Sequence, residues 1–143
     1  MDVSPTIQHL HGRLRSITGT DPAADTEISE TVPARRRWRI LSIRFSLITD
    51  VNVTDRTVNL ILDDGTTILS QIPSDTVQPS NLTRWYEFKL QQVPQFNVGV
   101  HMYLPLHHIS LPASARFRTS TTNRQADDNF SAPQFLVEEW IDP

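Results

Sequence analysis

The 143-residue chain contains no cysteine, which removes disulfides, thiolate metal sites and cysteine nucleophiles together. Four glycines give no phosphate-cradling loop, and no G-x-S-x-G elbow is present to expose a nucleophilic serine. No window approaches the roughly 18 to 20 continuous apolar residues of a membrane-spanning helix. The opening residues, MDVSPTIQHLHGRLR, lack the basic-then-apolar layout of a secretory leader. The expectation is a chain made and used on the cytoplasmic side of any membrane, or on a particle assembled there. Lysine is almost missing too: twelve arginines stand against the single Lys89. Arginine suits planar, bidentate pairing at packed contacts, whereas lysine suits solvated surface. A biased base composition gives the same skew. The net charge of −3 supplies no global field toward nucleic acid.

What the chain does have is a period of two. Over residues 37–48, Arg39, Leu41, Ile43, Phe45 and Leu47 fall on one face, while Trp38, Ile40, Ser42, Arg44 and Ser46 fall on the other. That is the pattern of a half-buried strand. Residues 54–62 follow with Val58, Leu60 and Leu62 inward. Asp63-Asp64-Gly65 then turns the chain, because Asp-Gly readily takes a positive φ. Residues 66–72 return with Ile68 and Ile72 inside. Residues 82–90 point Arg84, Tyr86 and Phe88 inward. Residues 98–106 do the same with Val98, Val100, Met102, Leu104 and Leu106, and an outward Pro105 suggests a sheet edge. Residues 113–119 and 134–141 repeat the theme around Phe117 and Val137. With a short strand at 26–32 the count is about eight, and no helical stretch intervenes. The expected fold is all-β, an antiparallel jelly-roll-type β-sandwich over residues 31–143. Residues 1–30 hold no sustained period and are expected to form an extended N-terminal arm.

Candidate chemistry is sparse. His107 and His108 project to opposite faces of a strand, and His101 lies roughly 20 Å from His107 at 3.3 Å per residue. His9 and His11 lack a third ligand nearby. No metal and no cofactor are expected. Asp63 and Asp64, with Asp50 and Asp55 near them, could suggest calcium, but a tight turn accounts for the Asp-Asp-Gly. Glu138 and Glu139 face opposite sides and cannot flank one glycosidic bond. The chain is not expected to be an enzyme. The densest cationic run, Arg35-Arg36-Arg37-Trp38-Arg39, admits a subunit contact, a solvated rim or stacking on single-stranded nucleic acid. Subunit contact is carried forward, with neither nucleic acid nor membrane as an expected partner. Trp38, Trp85 and Tyr103 are candidates for a sugar platform.

Two stretches carry a resemblance. Residues 32–65 hold V-P-A-x-x-x-W-x-[IL]-L-S, then T-D-x-x-V-x-[DN]-R, then D-D-G. Residues 104–140 hold L-P-A-x-x-R-[IF]-R-T and end in V-E-E-W, where the group has L-x-V-E-E-W. The matching residues include Val32, Pro33, Ala34, Trp38, Asp50, Arg56, Asp63, Arg116, Arg118, Glu138, Glu139 and Trp140. About three quarters of the chain thereby resembles small structural proteins of tailed bacteriophages. The resemblance implies a virion component, with head decoration (cement) as first choice. Such a protein is a homotrimer on the capsid exterior, assembled in the host cytoplasm, that clamps neighbouring copies of the phage major capsid protein. On that reading Ile7, Leu10, Leu14 and Ile17 anchor the arm, and Arg13 and Arg15 meet acidic shell residues. Arg35, Arg36, Arg37 and Arg39 pair with acidic groups of a neighbour, Asp127 and Asp128 among the possible partners. Tail, head-tail joining and receptor-side carbohydrate-binding roles remain as alternatives.

Overall fold

The computed structural model describes residues 12–97 and 100–142. Alternation becomes strand throughout: β1 Arg13–Thr18, β2 Ser29–Thr31, β3 Arg36–Ile48, β4 Thr57–Asp63, β5 Ile68–Pro73, β6 Thr83–Leu90, β7 Gln95–Asn97, β8 His101–Leu106, β9 Ser110–Leu111, β10 Arg116–Thr122, β11 Asn129–Phe130 and β12 Gln134–Ile141. They form two sheets. The larger runs β1-β12-β3-β6-β8-β7, with β11 and β9 also pairing with the long β3; the smaller runs β2-β10-β4-β5.

The sheets stack as a β-sandwich because each has one apolar face. Phe45 packs against Tyr86, Phe88 and Phe130 at 5.4, 5.9 and 5.6 Å between ring centres. Across the layers, Phe117 of the small sheet meets Phe135 of the large one edge-on at 4.9 Å. Burying such a side chain contributes about 1.5–3 kcal/mol, so these rings hold the two layers together.

Several expectations change. Among the described residues there are twelve strands, eight in one sheet and four in the other, where about eight were expected, and the pairing is not antiparallel throughout. β6 and β8 run parallel, Trp85 opposite His101 through Leu90 opposite Leu106. A hairpin cannot join parallel strands, and β7 lies antiparallel on the outer side of β8. The additional strands β1, β7, β9 and β11 are short and carry little alternation of their own.

In β3, Trp38 and Ile40 are buried along with Ile43, Phe45 and Leu47, and Leu41 is only half-buried. The register with β12 steps from Ser42–Leu136 to Ile40–Val137, so Leu41 is the extra residue of a bulge that reverses the strand's facing. A second step at Leu62/Asp63 makes Leu69 the extra residue of β5. Ile68 is therefore 51% exposed and Ser70 takes the inward place. Val100, expected inside, is 52% exposed.

The sandwich also begins earlier than expected. Residues 13–18, read as part of the arm, pair with β12 from Arg13–Glu139 to Thr18–Gln134. Ile17 packs on the core, and Ile28 is buried. Gly12 permits the approach: a Cβ there would sit 2.4 Å from Cγ of Glu138. Ile7 and Leu10 lie outside the described residues.

Two Pro-Ala turns close one end of the sandwich. The Arg36 amide donates to the Pro33 carbonyl and the Ala115 amide to Pro112, with Arg35 (φ 62) and Ser114 (φ 73) in the left-handed region. The turns bind one another through Val32 N–H to Ala115 O at 2.8 Å and Ser114 N–H to Val32 O at 3.0 Å. The two V/L-P-A segments of the resemblance are thus a single interlocked corner.

Candidate functional site

Because β3 spans the sandwich, its ends define the ends of the molecule. Arg36 marks one; Ile48 marks the other, where the loops 19–28, 49–56, 74–82 and 123–128 gather.

At the Ile48 end a charged group lies wholly inside. Arg56 is 0% exposed and grips Asp128 with two parallel bonds, Nε to Oδ2 and Nη2 to Oδ1, both 3.0 Å. Its Nη2 also reaches Asp50 Oδ1 at 2.7 Å, and Nη1 donates to the carbonyls of Asn52 and Thr54. Asp128 accepts further bonds from the amides of Asp50 and Gln125. A buried ion needs such full satisfaction to be tolerated. Burial would raise the Asp50 carboxyl, but amide bonds from Asn52 and Asp127, the Asn52 side chain and the Arg56 charge outweigh it and hold it below its usual value. Beneath this group the Tyr86 hydroxyl donates to Gln78 Oε1 at 2.8 Å, and burial pushes its pKa up to about 12. Gln78 Nε2 in turn caps the carbonyls of Leu47 and Leu82.

The Arg36 end is organised around shared carboxylates. Glu139, 8% exposed, accepts from Trp38 Nε1 at 2.8 Å and pairs with Arg15 at 3.0 Å and Arg36 at 3.7 Å. Asp63, 2% exposed, takes Arg116 on one oxygen and Arg118 on the other, both at 2.8 Å. Burial acts to raise Asp63, but these two arginines and the Gly65 amide bring it below the ordinary range. Arg37 pairs with Asp142 and Arg39 with Glu138.

The expected contact residues divide between the two ends of the sandwich. Arg36, Arg37, Arg39 and Arg15 make their ion pairs within the chain. Arg35 is exposed and bends the chain, its carbonyl accepting from the Asp142 amide. Asp127 and Asp128 sit at the opposite end of the sandwich, and Asp128 is sealed against Arg56. Asp128 therefore leaves the contact set, whereas Asp127 remains exposed. Of the arm anchors, Arg13 and Leu14 are exposed on β1 and Ile17 turns inward.

Trp38 is buried, which removes it from a sugar platform. Trp85 and Tyr103 are half-buried on the outer face of the large sheet with His101 between them, at 6.4 and 5.8 Å. Arg44, held by Glu87 at 2.9 Å, lies 4.1 Å over the Trp85 ring and occupies that face. His108 bonds Arg39 at 3.0 Å, and His107 bonds Ser70. Among the described residues no group of three or more His, Asp or Glu is placed to hold a metal ion. Asp64 caps its own turn, accepting from the Thr66 and Thr67 amides.

In the sequence Asp50 and Arg56 stand as motif residues, and Asp50 also beside a calcium candidate, with nothing to pair the two. Their six-residue spacing was visible, but Asp128 joins them from 72 positions away, a contact that no local pattern encodes.

No protein-family model matches the chain, and no curated protein matches it. Among solved structures it is similar to infectious bursal disease virus, Gx strain, at 14% identity over 88% of this chain and 33% of that one, TM-score 0.39. It is similar to the VP2 subviral particle of the same virus at 14% identity, covering 88% and 32%, TM-score 0.35. A third similarity is to an exo-beta-1,3-galactanase from Phanerochaete chrysosporium with galactose, at 11% identity, covering 91% and 26%, TM-score 0.26. The chain thus spans about a third of the length of the viral structures it matches. Likenesses this low carry no argument about what the chain does.

Proposed function

We propose that this chain is a non-enzymatic virion structural protein, a capsid decoration (cement) protein that binds the outside of a phage head as a trimer and clamps neighbouring major capsid proteins. One observation carries the reading. Of the charged residues on which the sequence resemblance rests, Asp50, Arg56, Asp63, Arg116, Arg118, Glu138 and Glu139 are spent on ion pairs inside the domain, and Asp64 on capping its own turn. They fix shape rather than present reacting groups, which suits a protein that works by rigid surface.

Packed DNA pushes a shell outward, and a clip across subunits adds binding energy at its seams. Three copies acting together gain avidity through high effective concentration. Reach falls to residues before β1, of which 1–12 would cover about 40 Å if extended.

The test is add-back. Heads assembled without the protein should lose DNA on heating, and purified protein added from outside should restore them. Failure to bind such heads would overturn the decoration role. Native mass spectrometry should give three copies; six or twelve would favour a head-tail joining or tail-tube role.

A further inference from the structure

The ion-pair networks at the two ends are opposite in stoichiometry. At the Arg36 end each shared carboxylate serves two guanidiniums: Glu139 holds Arg15 and Arg36, and Asp63 holds Arg116 and Arg118. At the Ile48 end two guanidiniums each serve two carboxylates, Arg56 holding Asp50 and Asp128 and Arg124 holding Asp25 and Glu27, while the buried Arg84 donates to the Val77 carbonyl. Pairing therefore leaves positive charge over at one end and negative charge over at the other. Exposed Arg13 and Arg35 add to the first, from which exposed Asp64 takes one charge, and exposed Asp21, Asp55, Asp75 and Asp127 add to the second. A net charge of −3 conceals a molecule polarised along its strands.

The apolar surface follows the same axis. At the acidic end Val53 is 93% exposed, Val51 72% and Val77 46%. The Val51–Val53 tip is stiff, because Asn52 between them is held by Asp50 through its amide and side chain, and by Arg56 through its carbonyl. A large apolar side chain held rigidly in water is preorganised for contact. At the arginine end lies a hollow of about 600 Å³ floored by Leu90, Pro105 and Leu106 and rimmed by Arg39, His107 and His108. Arg39 is fixed on that rim by Glu138 and His108. One end is an apolar knob ringed by carboxylates, and the other is an apolar-floored socket with the Arg39 guanidinium on its rim.

We infer that copies of this chain join head to tail, the Val51–Val53 loop of one seated in the Leu90–Pro105–Leu106 hollow of the next. Asp55, Asp75 and Asp127 then face the arginine end of the neighbour. The occupant is a second copy because both the charge and the shape of each end are matched by the other. Such a contact is heterologous, so it either closes into a ring or propagates. The inference rests on the self-association in the reading above and not on the virion location.

The test uses two full-length variants, each blocking one end at an exposed position. Val53→Glu puts a charge where the apolar floor must be met, and His108→Trp fills the socket. Circular dichroism and urea midpoints should match wild type. Sedimentation velocity should show wild type assembling at 50 mM salt and weakening on the order of tenfold at 500 mM, as charge complementarity is screened. Each variant alone should be monomeric. Mixed in equal amounts they should form a dimer and stop there, since one knob and one socket remain. A mixture that stays monomeric overturns the inference. Variants that assemble like wild type also overturn it, while leaving self-association through another surface intact. A wild type that is monomeric under all conditions overturns the self-association itself.

Discussion

Replacing Arg56 by methionine is the sharpest probe of how this sandwich is held. Methionine fills most of the arginine's volume, so the change removes charge and hydrogen bonds more than packing. Asp128, 0% exposed, then loses both bonds from the guanidinium, and Asp50 beside it loses its cation. The carbonyls of Asn52 and Thr54 lose their donor as well. Removing one partner of a buried pair costs about 3–5 kcal/mol, because the other charge is left unpaired. A domain of ordinary stability has roughly 5–15 kcal/mol in all. For a chain of this size a loss of about 4 kcal/mol lowers Tm by roughly 10–20 °C.

Urea unfolding followed by tryptophan fluorescence measures the loss. A cycle with Asp128→Leu adds the decisive comparison. Arg56→Met/Asp128→Leu should be far less damaged than the sum of the single variants, with a coupling of about 1.5–3 kcal/mol. A single-variant loss below about 1 kcal/mol, or additive singles, would refute the claim that this buried pair ties the end loops together.

Three further outcomes follow from other parts of the molecule. Asp63 has its folded-state pKa held below 3.8, so its stabilisation is complete above roughly pH 5 and disappears as pH falls through the folded value. Asp63→Asn should therefore lower the urea midpoint at pH 7 and flatten the acid limb of the stability-pH curve, a steep residual limb counting against the assignment. Glu30 runs the other way, since burial raises its carboxyl above 4.5 and disfavours the ionised form. Glu30→Gln should raise the urea midpoint at pH 7 and leave it unchanged at pH 3, where both side chains are neutral. Ser114→Gly should stabilise or be neutral within about 1 kcal/mol by calorimetry, because Ser114 occupies the left-handed region at φ 73 that glycine takes without strain.

Most of the strands could be read from alternation, and so could their inward residues wherever the period ran unbroken, as in β4, β6 and β12. The readings failed at bulges. Leu41 and Ile68 were placed inward because period two was extended across β3 and β5, and a single inserted residue reverses every later assignment. β1 was missed because Arg13, Leu14 and Arg15 give one short strand no apolar rhythm; its place is set by pairing with β12. The arginine run was visible in sequence, but its partners within the chain, Glu138, Glu139 and Asp142, become neighbours only when β12 is laid beside β3.

By itself the sequence determined the layered all-β class, the absence of thiol chemistry and the position of the Asp-Gly turn. Each of these is encoded locally, by side-chain period or by backbone preference. Only the tertiary structure decided that Arg56 and Asp128 neutralise one another in the interior, and that surplus charge and exposed valines collect at opposite ends. Those properties depend on which strand ends meet in space, and strand pairing across many tens of residues leaves no short-range trace in the order of amino acids.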